Sequence, residues 1–109
     1  MPQPALLVAD DHPLLRAAVV QVIRSRFPSF EVLEASSAST LSAALAEHPQ
    51  IELVLLDLTM PGTHGFSALL HVRGEHPQLP VVVISSNDHP RVIRRAQQFG
   101  ASGFMSTSA

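Results

Sequence analysis

Apolar residues recur along this chain in two alternating patterns. Short, nearly continuous runs stand at Leu6-Leu7-Val8-Ala9, Ile51 to Leu56 and Val81-Val82-Val83-Ile84. Between them apolar residues return at helical spacing, as in Leu15, Ala18, Val19, Val22 and Ile23. A buried strand needs apolar residues on both faces, whereas a helix needs one stripe. The pattern therefore predicts strand and helix in turn. His12-Pro13 opens the first helix, with proline near its start where the missing N–H costs little, and Pro28 stops it. Phe30 to Ala35 is a second strand, and Ser36, Ser37 and Ser39 offer N-caps for a second helix carrying Leu41, Ala44 and Leu45. Asp57 stands at the end of the third strand, ahead of the Thr59-Met60-Pro61-Gly62 loop. Phe66, Leu69, Leu70 and Arg73 belong to a third helix. Pro90 starts a fourth, with Val92, Ile93 and Ala96, which Gly100 ends. Gly103-Phe104-Met105 is a short fifth strand.

Alternation of this kind implies parallel strands with helices on both faces. Right-handed crossovers leave few topologies. A fifth covering helix would begin at Ala109, where the chain ends, so one sheet face is expected to lack a helix.

Length and composition narrow the picture. The chain of 109 residues makes one domain, residues 1–109, and its 46% hydrophobic content fills an ordinary core. A net charge of −2 gives no basic footprint for nucleic acid. With no cysteine there is neither a disulfide nor a thiolate metal site, which fits a reducing cytosol. No apolar stretch is long enough to cross a bilayer, and residues 1–10 do not read as a signal peptide. The seven basic residues are all arginines.

The candidate chemistry is acidic. Ligands of open α/β sheets gather beyond the carboxyl ends of strands, where strand order reverses. Asp10 and Asp11 follow the first strand and Asp57 follows the third. In a 2-1-3-4-5 order these strands are neighbours, and three carboxylates converge. At an effective dielectric of about 20, each pair about 4 Å apart costs about 4 kcal/mol. A hard divalent cation such as Mg²⁺ would offset that repulsion, and a carboxylate is a competent phosphoryl acceptor. Taken singly, Asp10-Asp11 could cap a helix and Asp57 could be a turn residue. Ser85, ending the fourth strand, could donate to a phosphoryl oxygen or cap the helix behind it. Phe104 by itself reads as core. His12, His48, His64, His71, His76 and His89 show no ligand pair on a common helical face and read as surface residues. Arg91, Arg94 and Arg95 line one side of the fourth helix, as a solvated face or a partner surface.

Four segments together resemble the receiver domain of two-component response regulators: Val8-Ala9-Asp10-Asp11-His12-Pro13, Leu55 to Gly62, Val83-Ile84-Ser85-Ser86 and Gly100 to Phe104. The Asp-Asp-His-Pro start and the Met-Pro-Gly loop are similar to the subgroup with a C-terminal helix-turn-helix. The resemblance implies a flavodoxin-like, doubly wound parallel sheet of order 2-1-3-4-5 with the last helix absent or truncated. It implies Asp57 as phosphoacceptor, and Mg²⁺ held by Asp10, Asp11, Asp57 and the Thr59 backbone carbonyl. Ser85 resembles the hydroxyl drawn toward the phosphoryl group, and Phe104 the switch aromatic that follows it. Thr59 and Asn87 sit where side chains tune phosphoryl lifetime. The implied partners are a sensor histidine kinase, a second copy in a homodimer, and DNA only through an output domain beyond this chain. The expected location is cytoplasmic, with no membrane partner. One departure is sharp: the family's site lysine is replaced by Thr107. An atypical receiver acting as a phosphorylation-independent interaction or dimerisation module is therefore the alternative. Two other classes fit less well. A haloacid-dehalogenase-type phosphatase wants Asp-x-Asp after its first strand and a catalytic lysine. A flavin carrier wants a Ser/Thr-rich phosphate loop where this chain is anionic.

Overall fold

A computed structural model describes residues 3–108. The elements run β1 (Ala5–Ala9), α1 (Pro13–Arg26), β2 (Glu31–Ala35), α2 (Ala38–Glu47), β3 (Ile51–Asp57), α3 (Ser67–Glu75), β4 (Val81–Ser85), α4 (Pro90–Gln98) and β5 (Gly103–Ser106). All neighbouring strands pair in parallel, in the order β2-β1-β3-β4-β5. The parallel strands are those expected from the alternation, and the flavodoxin-like order is the one the receiver resemblance implies. The fifth helix expected to begin at Ala109 lies outside the described residues, as do Met1 and Pro2 of the N-terminal segment.

Strand residues alternate between two cores. Leu7, Ala9, Val54, Leu56, Val81 and Val83 face α2, α3 and α4, which contribute Leu41, Leu45, Ala68, Leu69, Val72 and Ala96. Leu6, Val8, Val32, Leu55 and Ile84 face α1, which contributes Val20 and Ile23. Burying one such aliphatic side chain contributes about 1.5–3 kcal/mol. α2 begins with a capping box: Ser37 Oγ accepts from the Thr40 amide, and Thr40 Oγ1 accepts from the Ser37 amide.

The stripe expected on α1 needs correcting. Val20 and Ile23 are buried, but Ala18 is exposed and Val22 is 58% exposed. Leu14, one turn before Ala18, is 88% exposed. Among the described residues α1 is the one helix contributing to this core, so only the flank turned to the sheet is covered. Leu70 of α3, expected on the apolar face, is likewise 48% exposed, while Leu69 and Val72 carry the packing.

The register fixes what meets at the carboxyl edge. Ala9 pairs with Leu56, Asp57 with Ile84, and Ser85 with Ser106. Asp10, Asp57, Ser85 and Thr107 therefore stand at or just past the ends of four adjacent strands, in a row staggered by one residue from β3 to β4 and by one more from β4 to β5. Neighbouring strands lie about 4.8 Å apart, which is within reach of a shared small ligand.

Candidate functional site

The row opens into a cavity of about 520 Å³ lined by Asp10, Asp11, His12, Asp57, Ser85 and Thr107, with Thr59 and the start of α1 completing its wall. Asp10 is fully buried and Asp57 is 5% exposed. Both are held rather than loosely placed. Asp10 Oδ1 accepts from the His12 amide at 2.8 Å, and Arg16 Nη1 donates to the Asp10 carbonyl at 2.7 Å while its Nε pairs with Glu34 at 2.9 Å. Asp57 Oδ1 accepts from the Thr59 amide at 3.1 Å and from Thr59 Oγ1 at 2.9 Å.

The remaining carboxylate oxygens have no such support. Asp10 Oδ2, Asp11 Oδ1 and Asp57 Oδ2 are buried without a hydrogen-bond partner. Leaving a charged acceptor buried without a hydrogen bond is costly, and the one side-chain cation paired with these carboxylates among the described residues, His12, cannot offset all three, so a cationic ligand is the natural complement. Donor atoms of Asp10, Asp11, His12 and Asp57 all lie within 4.8 Å of one another. These oxygens and this spacing fit a divalent cation held by carboxylates.

His12 is the residue that sequence reasoning misplaced. It reads as a surface histidine, and its side chain is 62% exposed. Yet its Nδ1 lies 2.9 Å from Asp10 Oδ1, 3.2 Å from Asp11 Oδ1 and 3.5 Å from Asp57 Oδ2. The hydrogen bond with Asp10, then the charges of Asp11 and Asp10, hold its pKa above the ordinary histidine value. A search for histidine pairs on one helix face cannot find it, because its partners come from two strand ends. Its adjacency to Asp10-Asp11, at the cap of α1, was the available signal.

Ser85 is buried, and its Oγ accepts from the Asn87 amide at 3.0 Å, which leaves its hydroxyl proton to donate. Thr107 lies on the cavity wall and its amide donates to the Ser85 carbonyl at 2.9 Å. Neither lysine nor arginine is among the lining residues, so Arg91, Arg94 and Arg95 are not part of the cavity wall. Those three are exposed along α4. Asn87 is exposed outside the cavity lining. Phe104 is not part of the lining either; it is half-buried against the α2–α4 core.

The family profile of the response regulator receiver domain matches residues 6–107. The chain belongs to that family. Such receiver domains are signalling modules of two-component systems, and they bind Mg²⁺ at an acidic phosphorylation site; the corresponding cluster here is Asp10, Asp11 and Asp57. The chain is 40% identical over 104 residues to a glycerol metabolism activator of Pseudomonas putida, covering 95% of this chain and 47% of that protein. It is 36% identical over 100 residues to the nitrate/nitrite response regulator NarL of Escherichia coli, covering 92% and 46%. This receiver domain thus spans about half the length of the curated relatives it matches. The signal receiver domain of NarL from Mycobacterium tuberculosis superposes with a TM-score of 0.79 at 32% identity, covering 99% of this chain and 87% of that one. Among the described residues no helix of the receiver domain is long and apolar enough to cross a membrane.

Proposed function

We propose that this receiver domain takes a phosphoryl group on Asp57 from a sensor histidine kinase and passes the change to an output domain outside this chain. The observation that carries this reading is the set of buried, unpartnered oxygens on Asp10, Asp11 and Asp57. Asp10, Asp11 and Asp57, with the Thr59 carbonyl, would hold Mg²⁺. When bound, that ion offsets the charge of the carboxylates and of the incoming phosphoryl oxygens.

The chain's own groups have distinct tasks. Thr59 fixes Asp57 through its two donors to Oδ1, so the carboxylate meets phosphorus with little reorientation. An Asp57 oxygen forms the new O–P bond as the donor's N–P bond breaks, and the electron pair stays on the departing imidazole nitrogen. Ser85 donates its hydroxyl proton to a phosphoryl oxygen. Phe104, packed against the α2–α4 core, moves with Ser85 and shifts the population of two surface states. Arg91, Arg94 and Arg95 on α4 form the face that reads this change, in a homodimer or against the output domain. The output is transcriptional control through a helix-turn-helix domain.

A second reading has its own support. The cavity wall has Thr107 and no lysine or arginine, so one charge-assisted hydrogen bond, worth about 1.5–3 kcal/mol, is absent. A receiver working as a phosphorylation-independent interaction module would look the same. One experiment separates the two. Acetyl phosphate with Mg²⁺, followed by intact mass spectrometry, is expected to add one phosphoryl mass to the protein and none to Asp57→Asn. An unchanged mass in the unaltered protein overturns the phosphoacceptor reading and favours the module.

A further inference from the structure

Ser85 carries two ties at once. Its Oγ accepts from the Asn87 amide at 3.0 Å, and its carbonyl accepts from the Thr107 amide at 2.9 Å. It therefore joins the β4–α4 loop and the end of β5 to the wall of the acidic cavity, where Ser85 and Thr107 both stand. A third tie closes the arrangement into a ring. Asp88, the residue after Asn87, accepts at Oδ2 from Ser106 Oγ at 2.8 Å and from Ser108 Oγ at 2.9 Å. Those serines flank Thr107, and Ser106 is the β5 partner of Ser85. Hydrogen bonds to a carboxylate are stronger than those between neutral groups. Little else secures this corner. Ser86, Asn87, Asp88 and His89 are exposed, and among the described residues α4 buries Ala96 alone, with Val92 and Ile93 half-buried.

We propose that Asp88 is a positioning residue for the Ser85 hydroxyl: clasped by Ser106 and Ser108, it holds the β4–α4 loop and the start of α4 at rest, and it is released when Ser85 turns to an oxyanion seated on Asp57. This rests on Asp57 being the phosphoacceptor. The chain of cause is short. Turning toward the oxyanion carries Ser85 Oγ away from the Asn87 amide, and the loop so freed no longer presents Asp88 to both serines. Asp88 directly precedes His89, the N-cap residue of α4. Its released carboxylate lies at the positive end of that helix, where an anion is favoured, and changes the charge of the face carried by Arg91, Arg94 and Arg95. The resting and released arrangements differ in exposed hydrogen bonds, so the clasp biases their populations by a modest factor.

NMR of the whole chain with beryllofluoride and Mg²⁺, a mimic of the phosphorylated carboxylate, tests this. In the unaltered protein the probe is expected to move the amide signals of Asp88, Ser106 and Ser108 together with those of α4, and in Asp57→Asn to move none of them. The double variant Ser106→Ala, Ser108→Ala opens the clasp without the probe. Its α4 signals are expected part-way along the line from the free to the bound unaltered protein, and the probe should bind it about three- to tenfold more tightly. Ser106→Thr, which keeps a hydroxyl donor, should remain at the free end of that line. Signals of the double variant that lie off the line, or an unchanged affinity, reduce the clasp to a local tie and overturn the proposal. Clasp signals that stay fixed while the unaltered protein binds the probe also overturn it, and leave Asp57 as acceptor. A probe that fails to bind the unaltered protein overturns the acceptor reading and this proposal with it.

Discussion

The two ends of the sheet make an instructive pair. At the carboxyl end a cavity of about 520 Å³ holds Asp10, Asp11, His12 and Asp57. At the amino end a cavity of about 490 Å³ holds Glu52, His48 and His76 among proline-rich turns. Volume and residue types are alike, but the electrostatics are not. Glu52 is exposed, and His48 Nδ1 has Gln50 Nε2 for a partner at 3.4 Å. The carboxyl end instead buries carboxylate oxygens with no partner. Concavity alone does not mark a site; desolvated carboxylate oxygens left without hydrogen bonds do.

Substitutions break or sharpen this contrast, and their effects descend in size. Leu56 is fully buried directly before Asp57, so Leu56→Ala is expected to lower stability by about 3 kcal/mol. Chemical denaturation measures the loss, and weakened cation binding should accompany it because β3 positions the acceptor. Asp57→Asn should act in the opposite direction. Removing one of three crowded charges is expected to raise cation-free stability by about 1–2 kcal/mol, while the stabilisation given by added Mg²⁺ shrinks. A lower cation-free stability in that variant would contradict the repulsion argument. Asp88 shows how a carboxylate behaves when it is satisfied. Ser106 and Ser108 donate to its Oδ2 at 2.8 and 2.9 Å and hold its pKa below the ordinary value. Its depressed pKa contributes stability that is present above the ordinary carboxylate value and lost as pH falls through the lowered one. In Ser106→Ala an NMR titration should find Asp88 shifted upward. Glu52→Gln, at the amino end, is expected to change stability by no more than about 0.5 kcal/mol and to leave cation binding unaltered.

Much of the fold was legible because strand burial is written in consecutive residues. Val81 to Ile84 admit little but a covered strand, and Asp10 and Asp57 declare themselves by breaking such runs at their ends. The cap at Ser37 was legible for a similar local reason. The flank of α1 was harder. Ala18 and Val22 belong to the apolar period, yet only helix packing decides which flank is covered, and Val20 rather than Val22 faces the sheet. His12 was hidden for a different reason. Its significance lies in distances to two strand ends, and no spacing within one helix encodes them. Thr107 was legible by resemblance, but its place on the cavity wall depends on the pairing of β5 with β4.

The central claim is that carboxylates from β1 and β3 share one divalent cation. Calorimetric titration of Mg²⁺ into the unaltered chain, Asp10→Asn and Asp57→Asn tests it most directly. One ion per chain, with binding strongly weakened in both variants, is the predicted result. Binding that fails to saturate at one ion, or that both variants leave unchanged, would contradict it.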